Sequence, residues 1–139
     1  MSVAKTFTGS EDGLFWPALP TEGEQFVGTS AGAVFVHRQG SGEPLILLHS
    51  NGHSWREFEG SLAPLAARFE VIAWDMPGQG RSDPIHPRTS VERQADLLVE
   101  VMDDLEIERA YVAGSSIGAF IAAALAARAP ERVIGSDRP

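Results

Sequence analysis

The chain has 139 residues, of which 43% are hydrophobic and 22% are charged, as in an ordinary soluble domain. With 11 Lys and Arg against 19 Asp and Glu, its net charge of −8 argues against a nucleic-acid-binding protein, which needs a basic face. Cysteine is absent, which excludes disulfides, thiol nucleophiles and thiolate metal sites. The sequence shows neither a signal peptide nor an apolar run of roughly 18 residues, so we expect a cytoplasmic protein without a membrane partner.

The first part of the chain predicts an extension followed by strands. Residues 1–22 are rich in Gly, Pro, Ser and Thr and lack a sustained period, so we interpret them as an N-terminal extension and residues 23–139 as the domain. Strand-like stretches at 25–27 and 33–37 flank a Ser-Ala-Gly turn and predict an antiparallel hairpin. The apolar run 44–49 predicts a strand that is covered on both faces.

A helix, a second strand and a loop are predicted next. The apolar residues of 55–65 recur at helical spacing, and Pro64 predicts a kink or an early end of that helix. Residues 69–74 have the composition of a second buried strand. Residues 75–88 are rich in Pro and Gly and therefore predict a loop.

The remaining elements complete an alternating pattern. Thr89 and Glu92 have the spacing of a capping box, and behind them the apolar residues of 91–105 line one face of a helix. Residues 110–114 predict a third apolar strand, and 117–129 a helix that is apolar nearly all round. This alternation predicts an α/β fold: a mostly parallel sheet with flanking helices and an antiparallel hairpin at one edge.

The sharpest chemical signal is the G-S-S-I-G sequence at 114–118, a G-x-S-x-G motif between the third strand and the last helix. A serine on such a turn is held at strained backbone angles, with its hydroxyl projecting from the turn. The residues two before and two after it must be small because neighbouring backbone crowds them. The N-terminus of the helix presents free N–H groups to a developing oxyanion. We predict a nucleophile at Ser116; the alternative is a turn without chemistry.

Three segments resemble the α/β-hydrolase superfamily, in particular its esterase- and lactonase-like members with a serine nucleophile. Residues 47–52, L-L-H-S-N-G, resemble the strand-end His-Gly motif that supplies half of the oxyanion hole. Residues 75–83, D-M-P-G-Q-G-R-S-D, resemble the Asp-x-Pro-Gly-x-Gly-x-Ser loop, and 112–119 with 130–133 resemble the elbow, its helix and the exit from it. The resemblance covers 24–134 and implies the N-terminal half of an α/β-hydrolase fold.

The resemblance also implies a role for each matching residue. Ser116 would be the nucleophile and the backbone N–H of Ile117 one oxyanion donor. The second donor would come from Asn51, with Gly52 as the fallback. The family most often has glycine at the position of Ser50, although some lactone-cleaving relatives also have serine there. Structural positions within the motifs are implied for His49, Asp75, Gly78, Gly80, Ser82, Gly114 and Gly118. The implied reaction is hydrolysis of a carboxylic ester or lactone through an acyl-serine intermediate. We expect no cofactor, and four histidines without a carboxylate at ligand spacing give no indication of a metal site.

The residues after the motif do not complete the catalytic set of the family. A serine hydroxyl is a poor nucleophile until a base takes its proton, and in this family an acid and then a histidine follow the serine. After Ser116 the sequence offers Glu131 and Asp137 but no histidine. We therefore expect a truncated domain that is not catalytically competent alone. A substitute base would have to come from among His49, His53 and His86.

Two other functions stay open, and one structural consequence follows. The chain could be a non-catalytic fragment or scaffold that keeps the elbow, or a module that binds a small apolar ligand in the same cleft. The strand that ends at Gly114, central in the whole fold of the family, would here be an exposed sheet edge, so we expect self-association through it. The expected partners are a small ester or lactone and a second copy, not nucleic acid or a membrane.

Overall fold

The structure is a computed structural model that describes residues 23–135. The strands are β1 (Glu24–Thr29), β2 (Gly32–Gln39), β3 (Glu43–Leu48), β4 (Phe69–Trp74) and β5 (Tyr111–Gly114). The helices are α1 (Glu59–Ala66), α2 (Val91–Asp104) and α3 (Ile117–Arg128), with short 3₁₀ turns at Trp55–Phe58 and Pro130–Arg132. The predicted extension, 1–22, and the last four residues, 136–139, lie outside the described part of the chain.

The strands form one five-stranded sheet in the order β1-β2-β4-β3-β5. The β1–β2 hairpin is antiparallel and joins the sheet through an antiparallel β2–β4 pair. Strand β3 pairs in parallel with β4 on one side and with β5 on the other. The α/β class and the hairpin at one edge are therefore confirmed. The sheet is mixed rather than mostly parallel, because the hairpin contributes two of the four strand pairs.

Apolar side chains alternate between the two faces of the sheet, as a strand period of two requires. In β3, Ile46 and Leu48 pack on the face covered by α2 and α3, whereas Leu47 packs on the face covered by α1. The larger core lies on the first face, where the fully buried residues of α2 include Leu98 and Met102. This two-sided packing explains why the central strands are apolar throughout.

Two predicted helix boundaries differ from the structure. The N-cap of α2 is Ser90, whose hydroxyl accepts the N–H of Arg93 at 3.0 Å, so the predicted cap at Thr89 is wrong by one residue. The Thr89 hydroxyl instead donates to the carbonyl of His86, which closes the turn before the helix. The predicted 55–65 helix divides into a 3₁₀ turn and α1, and Pro64 lies inside α1 rather than ending it at once.

Strand β5 forms the second edge of the described sheet. Its predicted apolar character is clear in the sequence, yet none of its four residues is buried, and Tyr111 is 38% exposed. On the side away from β3, the described residues contribute a single parallel bridge, between Ala110 and Val133. Among the helices of residues 23–135, none is long and apolar enough to cross a lipid bilayer.

Candidate active site

Ser116 occupies a strained turn between β5 and α3. Its backbone angles are φ 58° and ψ −119°, and it is one of two non-glycine residues with positive φ in the described chain. L-residues avoid this region because Cβ meets the backbone, so the surrounding structure must hold the conformation in place. Ser116 is exposed, and the helix that follows it begins at Ile117. The strained strand-to-helix turn, or elbow, that the motif predicts is therefore present.

The two flanking glycines hold that turn against the end of β3. A Cβ added to Gly114 would lie 2.3 Å from backbone atoms of Gly118, and one added to Gly118 would lie 2.1 Å from the carbonyl oxygen of Leu48. The N–H of Ser115 donates to the same Leu48 oxygen at 3.0 Å. The elbow can therefore approach β3 this closely only because both positions lack a side chain.

The first residue of α3 supplies an unused donor beside Ser116. Hydrogen bonds inside the turn begin with the N–H of Gly118, which donates to Ser115 O at 2.9 Å. The N–H of Ile117 has no acceptor within the part of the chain that the structure describes. Free N–H groups in a first helical turn carry the positive end of the helix dipole, where negative charge is stabilised.

The loop after β3 brings a second backbone donor to this end of the sheet. The N–H of Gly52 donates to Oε1 of Gln79 at 2.8 Å, and Nε2 of Gln79 donates to Oδ1 of Asn51 at 2.7 Å. One glutamine amide therefore fixes both residues of the loop. The Gly52 donor is occupied, whereas the N–H of Asn51 has no acceptor among residues 23–135.

His49 supports this loop from inside the protein. Its Nδ1 donates to the carbonyl of Ser50 at 2.7 Å, and its Nε2 accepts the N–H of Met76 at 2.9 Å. A backbone N–H can only donate, so the proton of the neutral ring must be on Nδ1. Burial lowers the pKa of His49, which keeps the ring neutral. Both ring nitrogens are occupied, and His49 is fully buried.

Glu57 connects the same loop to the elbow. Its Oε1 accepts the N–H of Ser50 at 2.8 Å and the hydroxyl of Ser50 at 2.9 Å. The Ser50 N–H contributes most to lowering the pKa of Glu57, and the hydroxyls of Ser50 and Ser115 lower it further. The carboxylate therefore binds the residue before Asn51 through two hydrogen bonds and lies near the residue before Ser116.

Asp75 organises the loop after β4. It is 1% exposed, and its two oxygens accept the N–H groups of Trp55 and Arg81, each at 2.9 Å. A Cβ on Gly80 would lie 2.3 Å from Oδ2 of Asp75, so a side chain there would displace the carboxylate.

Ser82 and Gly78 close the same loop onto the hairpin. The Ser82 hydroxyl donates to the carbonyl of Asp75 at 2.6 Å and accepts the N–H of Phe35 at 2.9 Å. Gly78 has φ 92°, and its N–H donates to the carbonyl of Asp83 at 2.9 Å. The loop is therefore fixed at its two ends and across its middle, which positions Gln79 over the residues after β3.

A cavity of about 300 Å³ lies beside the elbow. Its lining includes Asn51, Gln79, Gln94 and Ile117, so both unused backbone donors belong to residues at its wall. The cavity is at the carboxyl ends of the parallel strands, where ligands bind in open α/β sheets.

Comparison with known proteins agrees with this arrangement. A family model described as the alpha/beta hydrolase fold matches residues 43–135, which is most of the described chain. The chain belongs to the α/β-hydrolase family. The resemblance read from the three motifs is thereby confirmed.

Curated relatives and solved hydrolases give the extent of the match. The chain is 36% identical over 100 residues to the dihydrolipoyllysine-residue acetyltransferase component of an acetoin cleaving system from Cupriavidus necator, covering 72% of the chain and 27% of the relative. It is 40% identical over 102 residues to a 2-hydroxymuconate semialdehyde hydrolase from Pseudomonas, covering 70% of the chain and 36% of the relative. The solved structure of Est816, an N-acyl homoserine lactone degrading enzyme, has a TM-score of 0.75 and 33% identity to the chain. This match covers 79% of the chain and 42% of Est816. The chain spans roughly a third of the length of these curated relatives.

No histidine forms a hydrogen bond with Ser116 among residues 23–135. All four precede it in the sequence. His37 stacks on Trp55 with ring centroids 4.3 Å apart, and His53 is exposed. His86 lines the cavity, and its Nδ1 accepts the N–H of Arg88 at 3.0 Å. Within residues 23–135, no group of three or more acids and histidines is arranged to hold a metal ion.

Sequence reasoning did not find three of the polar residues around the elbow. Gln79 is the variable position between the two glycines of the 75–83 loop, and Glu57 lies on a turn that was predicted as part of a helix. Gln94 follows Ser90 by four residues on the buried face of α2. A polar residue at an apolar position of the helical period was the one signal that marked Gln94.

Proposed function

We propose that Ser116 is the nucleophile of a hydrolase that cleaves a carboxylic ester or lactone. Its Oγ would attack the carbonyl carbon while its proton passes to a base. The bond to the alcohol oxygen would then break, which opens the ring in a lactone, and water would release the acid from the acyl-serine. The observation that carries this proposal is the positive φ of Ser116 directly before the unused N–H of Ile117 at the start of α3.

The oxyanion of that reaction would be bound by the N–H groups of Ile117 and Asn51. Both donors are unused among the described residues, and both residues line the cavity beside the elbow. Gly52 is the weaker candidate, because its N–H already donates to Gln79. Removing one such donor costs about 10²–10³ in rate where it has been measured in other enzymes.

We propose further that these 139 residues do not supply the base. His49 uses both ring nitrogens in backbone contacts, and no other histidine contacts Ser116 in the described chain. The curated relatives are about three times as long as the matched segment. The nucleophile and oxyanion loop would then be assembled without the group that activates the serine.

The experiment is fluorophosphonate labelling of the full chain, with and without added imidazole as an external base. We expect negligible labelling alone and an increase of about tenfold or more with imidazole, because general-base catalysis contributes at least that much. Ser116→Ala is the control and should remain unlabelled in both conditions.

The other outcomes separate the alternatives. Labelling of Ser116 without imidazole would mean that this chain supplies a base, and His86→Gln would test the histidine at the cavity wall. No labelling in either condition would overturn Ser116 as the nucleophile and favour a non-catalytic scaffold. A ligand-binding module is favoured by the cavity itself, and it predicts ligand binding that depends on the cavity walls while Ser116 cannot be labelled.

The substrate and setting belong to the same proposal. A small ester or lactone suits the size of the cavity, and a structural neighbour, Est816, degrades N-acyl homoserine lactones. We propose that the protein acts in the cytoplasm, without nucleic acid or a membrane as partner, and that a second copy associates along the β5 edge. The acidic net charge supports the absence of a nucleic-acid partner, and the exposed strand β5 supports the association of a second copy.

A further inference from the structure

Gln94 is a buried polar side chain at the wall of the cavity. It lies in the first half of α2, is 7% exposed and lines the cavity together with Asn51 and Ile117. Its Oε1 is buried and has no hydrogen-bond partner in the part of the chain that the structure describes. The remaining buried residues of α2 are apolar, so Gln94 is the polar exception on this face.

An unpaired buried acceptor is costly, and most are paired in native proteins. A methionine or leucine at this position would fill similar space without that cost. Gln94 borders a cavity, and rotation of its amide about the last side-chain bond would bring Oε1 within reach of a molecule there, which can supply the missing donor. The Oε1 atom therefore indicates a ligand group that donates a hydrogen bond.

The charge of the cavity restricts the ligand further. Among the described residues that line it, none is Asp, Glu, Lys or Arg. A carboxylate in this cavity would lose hydration without meeting a Lys or Arg side chain, and His86 is the one titratable group among the described lining residues. The protein as a whole carries a net charge of −8. The cavity therefore suits an uncharged molecule with a polar donor.

We propose that Gln94 determines specificity for neutral esters or lactones that carry a hydroxyl or amide N–H close to the scissile carbonyl. Oε1 of Gln94 accepts the hydrogen bond of that group while the carbonyl lies against Ile117 and Asn51. This inference rests on the proposed reaction at Ser116. It adds the chemical class of the substrate and the residue that selects it.

Binding to the full chain carrying Ser116→Ala tests the inference without turnover. The probes are methyl hexanoate, its α-hydroxy and β-hydroxy derivatives, and the anion of monomethyl adipate, each titrated by NMR. We expect one hydroxy ester to bind about five- to tenfold more tightly than methyl hexanoate, as one hydrogen bond provides. The adipate anion should bind most weakly.

Two further variants connect that preference to Gln94. When Gln94→Met is added to Ser116→Ala, the hydroxy ester and methyl hexanoate should bind with about equal affinity. Methyl hexanoate itself should bind at least as tightly as before. Methionine removes the unpaired oxygen, so we expect this variant to fold. The matched control is Leu97→Met, a conservative change on the same helix at a residue that does not line the cavity; it should leave the ratio unchanged.

Three results would overturn the inference. They are a hydroxy-ester preference that persists in Gln94→Met, tighter binding of the adipate anion than of the neutral esters, and no binding of any probe. The labelling experiment reports on Ser116 separately. Selective binding without labelling would reject the proposed reaction but not the ligand site, whereas labelling without selective binding would do the reverse.

Discussion

Strands β4 and β5 are both parallel neighbours of β3, and they differ in what covers them. In β4, Val71 to Trp74 are all buried, since β2 pairs with its other edge and helices cover both faces. In β5, no residue is buried, although its sequence is as apolar as that of a covered strand. The burial of a strand is therefore set by its neighbours, and a strand composition such as that of β5 indicates a covering surface that residues 23–135 do not provide.

The two large helices show the same contrast. Helix α2 has acids on its outer side and an apolar side against the core, as expected of a helix at a protein surface. Helix α3 is apolar nearly all round, and only Gly118, Ile121 and Leu125 are buried. Phe120 is 68% exposed. The side formed by α2 has the polar outer face of a protein surface, whereas the β5–α3 side has the apolar composition of an interior.

The elbow joins β5 to α3, and we expect its rigidity to depend on its packing against the buried strand β3. The largest effect should come from Gly118→Ala, because the new Cβ would lie 2.1 Å from Leu48 O, and backbone on both sides prevents relief. We expect a loss of roughly 3 kcal/mol or more in the free energy of unfolding, measured by urea denaturation. Imidazole-assisted labelling of Ser116 should disappear with it.

The control for that substitution is Gly60→Ala in α1. An added Cβ there has no atom within 4 Å, and alanine favours a helix, so this variant should gain ~0.5–1 kcal/mol. Equal stability of the Gly118 and Gly60 variants would show that close packing on β3 does not hold the elbow.

An intermediate effect is expected from Glu57→Gln, which tests the connection between the loop after β3 and the elbow. Its lowered pKa means that the ionised form stabilises the folded state above about pH 4.5 and that this contribution is lost as the pH falls through the folded pKa. We expect the variant to be less stable by roughly 1 kcal/mol at neutral pH, with the difference from wild type shrinking in acid.

Glu59→Gln is the matched control for this pH dependence. Glu59 is 48% exposed and pairs with Arg56 on the surface of the same segment, so its removal should change stability by less than about 0.5 kcal/mol. A difference between wild type and Glu57→Gln that grows in acid would contradict the assigned contacts of Glu57.

The sequence predicted the elements whose signals are local. The bounds of β4 agree with the prediction at both ends, and the elbow lies at the G-x-S-x-G motif, because strand composition and glycine spacing are properties of short segments. The α2 cap was assigned to Thr89 instead of Ser90, because two adjacent hydroxyl residues offer the same chemistry and the choice depends on the turn before them.

The contacts around the site could not be predicted in the same way. Gln79 donates to Asn51, which lies 28 residues earlier in the chain, and Glu57 accepts two hydrogen bonds from Ser50 in the loop after β3. The exposure of β5 was expected, but from the resemblance to a longer domain rather than from its own residues. Such features depend on which segments the fold brings together.

The smallest effect on stability, and the most direct test of the open side, is expected from Phe120→Glu. The side chain is largely exposed, so the free energy of unfolding should change by no more than about 0.5 kcal/mol. If a second copy covers the β5 edge and α3, wild type should sediment as an associated species, and the new carboxylate should shift it to monomer. Because each copy carries a net charge of −8, added salt should strengthen the wild-type association by screening repulsion.

The control is Ala63→Ser, on the exposed side of α1, which should leave sedimentation unchanged. A wild-type chain that sediments as a single monomer and unfolds cooperatively would rule out a second copy as the covering surface.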